Sequence, residues 1–169
     1  MPDAPLPADA ASGADASPPL KIRLRADLTT AMKARDKVRS GTIRMVLAAV
    51  SEAEVAGRSA VELSDQQVLD VVIREAKKRR EAEEAFVAAG RPELAEKEHA
   101  EAAVLADYLP QPLGPDEVEA LVAAAIETTG AAALGMKGMG QVMGVVTPQT
   151  RGRADGSAVA AEVRRQLQA

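Results

Sequence analysis

The chain has 169 residues, no cysteine and a net charge of −4, which excludes disulfides and thiolate metal sites and argues against coating nucleic acid through bulk charge. Nearly half of it is hydrophobic, yet Phe86 and Tyr108 are its only aromatics, so a core of Leu, Ile, Val, Met and Ala favours packed helices and the expected class is all-α. The lone histidine, His99, rules out His-His metal ligation, and no apolar stretch approaches the ~20 residues that span a bilayer.

The first nineteen residues are mainly Ala, Pro, Asp, Ser and Gly. They offer neither the basic start nor the apolar stretch of a secretory signal, and too few large apolar side chains to offset the entropy of ordering. A mobile tail on a cytoplasmic protein is expected. From Leu20 the pattern turns helical, with Leu20, Leu24, Leu28 and Met32 at successive turns. Asp36 is placed to cap a second helix, whose stripe is Ile43, Val46, Leu47 and Val50, and Gly57 to end it in a left-handed conformation. These two helices should pair as an antiparallel hairpin.

Ser64-Asp-Gln-Gln67 has the form of a capping box and opens the longest helix, from Asp65 to about Ala89, with Gly90 as its stop. Val68, Leu69, Val72, Ile73 and Ala76 form its apolar half, whereas Lys77-Lys-Arg-Arg-Glu-Ala-Glu-Glu84 is polar nearly all round and cannot be fully buried. A fourth helix starts at Arg91-Pro92-Glu93, and its thin inner stripe runs through Leu94, Glu98, Ala102, Leu105 and Tyr108 or Leu109. His99, among charged neighbours, reads as a solvated surface residue.

Leu109-Pro-Gln-Pro-Leu-Gly-Pro115 places three prolines in seven residues and marks a linker. Beyond it, Val118, Leu121, Val122, Ala125 and Ile126 outline a fifth helix that stops at Gly130. Met136, Met139, Val142, Met143 and Val146 outline a sixth, and Val159, Val163 and Leu167 a seventh. The organisation is a tail over 1–19, a helical domain of about four helices over 20–110, and a three-helix module over 111–169.

Several segments together carry more than a fold class. They are Leu24-Arg-x-Asp-Leu28, Arg44-x-x-Leu47, Lys77-Lys78-Arg79-Arg80-Glu81, Ala88-x-Gly90-Arg91-x-Glu93-Leu94-Ala95-x-Lys97-Glu98, and Leu105-x-x-Tyr108-Leu109-Pro110-Gln111. Near the end come Met139-Gly140-x-Val142-Met143-Gly144 and Gly152-Arg153-Ala154-Asp155-Gly156. From about Leu20 to Leu167 the chain resembles the GatB/YqeY family. The resemblance implies two helical domains meeting near Pro110 to Pro115, the second like the RNA-contacting tail of the B subunit of the tRNA-dependent amidotransferase. That enzyme converts glutamate or aspartate already charged on tRNA into the amide.

The domain that carries the amidotransferase chemistry precedes the tail in that subunit and has no counterpart here. The chain holds no Walker-type phosphate loop, metal-ligand cluster or amidase nucleophile constellation, so no catalytic residue, metal or cofactor is assigned. Carbon-nitrogen ligase activity with glutamine as amide donor would come only by association with an amidotransferase.

The candidate RNA-binding residues are Lys137, Arg151, Arg153, Arg164 and Arg165, a local charge of +3 from Met136 onward, set around one short connection. Gly138, Gly140, Gly152 and Gly156 would let an RNA backbone approach, and free N–H groups near Asp155 to Ala158 would suit phosphate. In the competing structural reading, Gly140 and Gly144 serve close helix packing, Asp155 caps a helix, and Arg164 and Arg165 complement a helix dipole. A secondary basic patch, Arg74, Lys77 and Lys78, shares one helix face, with Arg80 placed to pair with Glu84.

The leading expectation is a tRNA-associated accessory protein that contacts structured RNA through phosphate and shape. The alternatives are a non-catalytic helper of a glutamine-dependent tRNA amidotransferase, partnered by its subunits, and a helical protein-protein adaptor.

Overall fold

The computed structural model describes residues 18–168. Seven α-helices and one stretch of 3-10 turns make up the regular structure, with no strand among the described residues, as expected of an all-α chain. The expected mobile tail lies outside the described residues apart from Pro18 and Pro19, both exposed. No single described helix is long and apolar enough to cross a membrane.

Helices α1 (Leu20–Lys33), α2 (Lys37–Val55), α3 (Asp65–Ala88) and α4 (Pro92–Ala106) pack around Leu24, Ile43, Val46, Val50, Val72 and Leu105. Two details depart from expectation. Met32 is 52% exposed while Ala31 is buried, because Ala31, seven residues after Leu24, completes two turns on the inner face and Met32 lies a further 100° round. Gly57 does not take a left-handed conformation. Instead the chain folds back on the last turn of α2, whose Glu54 carbonyl accepts from Val61 N at 2.9 Å.

The caps follow the sequence closely. Asp36 Oδ1 accepts from Arg39 N, and Ser64 and Gln67 complete a reciprocal capping box at the start of α3. Gly90 ends that helix at φ 66°, a conformation glycine adopts without steric cost.

The α3–α4 contact contains an ionic hub. Arg79 Nη1 donates to Glu98 at 3.0 Å and to Glu101 at 3.3 Å, Nη2 lies 4.0 Å from Glu75, and Lys78 covers Glu75 from the other side at 2.6 Å. Glu75 and Glu98 are only 6% and 9% exposed. Glu98 therefore occupies its place on the inner stripe because a guanidinium from α3 meets it there.

A second hub joins α1, α2 and the end of α4. The buried Tyr108 hydroxyl donates to Asp27 Oδ2 at 2.7 Å, while Arg23 lies over its ring at 4.9 Å. Arg39 donates to Asp107 Oδ2 at 2.7 Å. Burial, then the Asp27 hydrogen bond, pushes the Tyr108 phenol from 10.0 up to about 12. A raised folded value favours the neutral phenol, so its contribution to stability is complete below pH 10.0 and is lost as pH rises toward about 12. Since Tyr108 is the only tyrosine and tryptophan is absent, phenolate absorbance reports it directly. The expected midpoint in the folded protein is near 12; a midpoint at the ordinary value, with helicity intact by circular dichroism, would contradict this environment.

Helices α5 (Pro115–Thr129), α6 (Met139–Thr150) and α7 (Gly156–Leu167) enclose a separate cluster around Val118, Val122, Val142, Val146, Val159 and Val163. Gly130 ends α5 at φ 65°. Met136 is not part of α6. It lies exposed in the 3-10 stretch Ala131–Gly138, because Gly135, at φ 52° and ψ −136°, breaks the helical path before α6 begins. The helix also runs past Pro148 to Thr150, since a proline near its end removes just one bond to a carbonyl a turn earlier.

Gly140 and Gly144 do not serve close packing. Both are exposed, and a side chain at either would meet nothing within 4 Å. The inward i, i+4 row of α6 is Val142, Val146 and Thr150. Close approach occurs at Gly138, where a β-carbon would lie 2.7 Å from that of Ala131.

Candidate nucleic-acid interface

The five predicted basic residues of the C-terminal module do not surround one connection. Arg151 and Arg153 stand at the α6–α7 turn, whereas Lys137 precedes α6 and Arg164 and Arg165 lie in the last turn of α7. Because α6 and α7 form a hairpin, the two groups are separated by the length of α6, about 18 Å for twelve residues. The far end is also partly neutralised. Arg165 pairs with Glu162 at 2.6 Å and Glu119 at 3.0 Å, and Arg165 first, then Gln166, holds the Glu162 carboxyl down to about 2. Lys137 and Arg164 remain exposed.

At the near end the turn rests on α3. Gly152, left-handed at φ 70°, sits so close to Ile73 that a β-carbon would lie 2.9 Å from Ile73 Cδ1. Arg153 Nε donates to the Gln111 carbonyl at 2.9 Å, and the Arg153 carbonyl accepts from Leu113 N at 2.7 Å. Arg153 thus fastens the proline-rich linker to the turn, a role that its place in a basic, glycine-rich motif did not suggest.

Straddling Ile73 brings together two basic sets distant in sequence. On one side Arg74 and Arg151 line a shared depression, with Arg151 Nη1 3.7 Å from Asp70. On the other, Lys77 and Arg80 of α3 line, together with Arg153, a cleft of about 280 Å³. The secondary patch is thereby divided. Arg74 and Lys77 join the turn, but Lys78 is engaged with Glu75. Arg80 belongs to the cleft, and the expected Arg80–Glu84 pair is not formed among the described residues, where Lys77 approaches Glu81 at 3.7 Å instead.

The start of α7 offers less to phosphate than its position suggests. Asp155 Oδ1 accepts from Ser157 N at 2.8 Å, from Ala158 N at 3.1 Å and from the Ser157 hydroxyl. The Ser157 hydroxyl first, then Ala158 N–H, holds this carboxyl below the usual range, with Lys77 adding a smaller pull. An anionic cap already occupies the Ser157 and Ala158 N–H groups, so these two expected donors are not free for phosphate. His99 is exposed as expected, with Nδ1 2.9 Å from Glu83 Oε1.

Comparison with known proteins identifies the family. The family model described as Yqey-like protein matches residues 21–167. The chain belongs to the YqeY-like family. Among its relatives, an uncharacterized protein of Schizosaccharomyces pombe is 37% identical over 101 residues, covering 59% of this chain and 80% of the relative. The protein named altered inheritance of mitochondria protein 41, mitochondrial, of Pyrenophora tritici-repentis is 31% identical over 134 residues, covering 78% of this chain and 71% of the relative. As a small helical YqeY-like protein, the chain holds its cationic side chains on two helical groups that meet at Ile73 and Gly152.

Sequence reasoning missed the convergence of Arg80 with Arg153 and the buried engagement of Arg79. One signal for the latter was available. A glutamate at 98 on an otherwise apolar stripe requires a cationic partner, and the Lys77 to Arg80 run is the nearest dense source of one.

Proposed function

We propose that this YqeY-like chain is an RNA-associated accessory protein that contacts structured RNA, with tRNA as the leading candidate, through the basic junction between α3 and the α6–α7 turn. The observation that supports this reading is the merging of Arg74, Lys77 and Arg80 with Arg151 and Arg153 on both sides of Ile73. The protein is acidic overall, so affinity has to come from such a local concentration of charge, and phosphate is the ligand it matches best. Arginines contribute bidentate hydrogen bonds as well as charge.

The test is a salt titration of tRNA binding. Each phosphate contact contributes about 0.7–0.9 to the slope of log affinity against log salt. Replacing Arg74, Lys77, Arg80 and Arg151 together by alanine is expected to flatten the slope by about 3 and weaken binding uniformly across tRNA sequences. A Lys137→Ala, Arg164→Ala variant, altered at the far end of the hairpin, should retain most of the slope. If the fourfold variant keeps the wild-type slope, or the far-end variant loses it, the junction is not the interface.

A further inference from the structure

Phosphate contact alone needs only a basic surface, yet the junction also contains a concavity. The cleft is lined by Lys77, Arg80 and Arg153 together with four small side chains, Ala76, Ala102, Ala106 and Ala154, and with Ile73 and Leu109. Small side chains on two helices and a turn leave a shallow apolar space of about 280 Å³, just below the range of roughly 300–1,000 Å³ usual for small-molecule sites. Its charged groups stand at the rim. Asp155, also lining the cleft, takes its cap bonds through Oδ1, so Oδ2 remains open to accept a hydrogen bond.

From this arrangement we propose that the cleft takes one unstacked nucleotide. Its base lies against the alanines, its phosphate lies between Lys77 and Arg80, and an exocyclic amino group donates to Asp155 Oδ2. A base is the ligand part that combines a flat apolar face with polar edges, and a single phosphate matches cations on the rim. Arg153, with Nε engaged by Gln111, supplies a planar guanidinium to a lining that holds no aromatic ring. The nucleotide arrives as an extruded residue of a bulge, loop or strand end, or as free nucleotide. The former source rests on the RNA reading above, and the latter does not.

Two arms separate these sources. In the first, adenosine 5′-monophosphate, adenosine and inorganic phosphate are titrated into the full chain. The monophosphate should bind more tightly than either fragment, and Ala106→Leu, which fills the cleft without altering charge, should weaken it about 5–100-fold, the usual range for a lost base contact. In the second, a hairpin RNA with one bulged adenosine is compared with its fully paired counterpart. The bulged form should bind more tightly to wild type, and Ala106→Leu should abolish that preference while leaving the salt slope unchanged. Thermal unfolding of Ala106→Leu confirms that it folds.

Salt-dependent RNA binding with no preference for the bulge, together with no binding of the monophosphate, would overturn the pocket and leave the RNA reading standing. Binding of the monophosphate without RNA binding would uphold the pocket and overturn the RNA reading. Equal binding of monophosphate and inorganic phosphate, unaffected by Ala106→Leu, would show an anion site with no place for a base and would also overturn the proposal.

Discussion

Replacing Arg79 with alanine is expected to destabilise the α1–α4 bundle by about 3–5 kcal/mol, the range for removing one partner of a buried ion pair. The wild-type guanidinium contacts Glu98 and Glu101 directly and lies within 4.0 Å of Glu75. Lys78 and Lys97 reach Glu75 and Glu101 but not Glu98. Without Arg79, Glu98 is a carboxylate at 9% exposure with no cation beside it. The measurement is urea unfolding followed by helical circular dichroism, with a lower midpoint and an unchanged slope. Arg79→Leu combined with Glu98→Leu should recover much of the loss, because apolar packing replaces the pair and the carboxylate left without a cation is gone, while Glu75 keeps Lys78. A midpoint for Arg79→Ala within experimental error of wild type would show that water screens the hub, and the account given of Glu98 would then fail.

Substituting Gly152 is expected to loosen the junction, through two separable causes. At φ 70° an L side chain carries a backbone penalty of about 1–2 kcal/mol. A β-carbon would also meet Ile73 Cδ1 at 2.9 Å and Cγ1 at 3.1 Å, an overpacking that costs about 1–3 kcal/mol when the neighbour cannot move away. A double-mutant cycle with Ile73→Ala divides them. In the Ile73→Ala background the clash disappears, so Gly152→Ala should cost only the backbone part there and roughly twice as much or more in wild type. Equal costs in both backgrounds would mean that Ile73 shifts freely and only the glycine conformation matters. On the proposed reading the junction variant should also weaken RNA binding, since Arg151 and Arg153 flank Gly152 while Arg74, Lys77 and Arg80 stay on α3.

Local structure was readable to the extent that it depends on neighbours in sequence. The Ser64–Gln67 box, the Asp36 and Asp155 caps and the helix stops at Gly90 and Gly130 all occur where their residue types predicted them, whereas the left-handed conformation expected of Gly57 does not. The errors arose where the local pattern was ambiguous. Met136 continued the apolar period of α6, but period alone does not register the break at Gly135. Gly140 and Gly144 had a spacing that serves either packing or exposure, and only the position of neighbouring helices distinguishes these.

The candidate interface was legible as two unrelated patches. Residue type identified Arg74, Lys77, Arg151 and Arg153 as candidates, and the resemblance directed attention to the C-terminal module. Their grouping depended on contacts between residues about eighty positions apart, such as Ile73 with Gly152, and on a linker held by Arg153 through Gln111 and Leu113. Ion pairs, most of them within one helix, removed other residues from the set. Lys78 and Arg165 carry the right charge, but nearby carboxylates already engage them.

By itself, then, the sequence determined the all-α class, the order of the helices and most of their caps, because helical period and capping act over three or four residues. Only the tertiary structure decided which charges are buried, which are paired between helices and which gather at the junction. Those outcomes depend on distance and desolvation between helices, quantities that no local pattern encodes. Arg79 and Arg80 show the difference. They are adjacent in the chain and alike in charge, yet one is held among the carboxylates of the α3–α4 contact and the other opens onto the basic cleft.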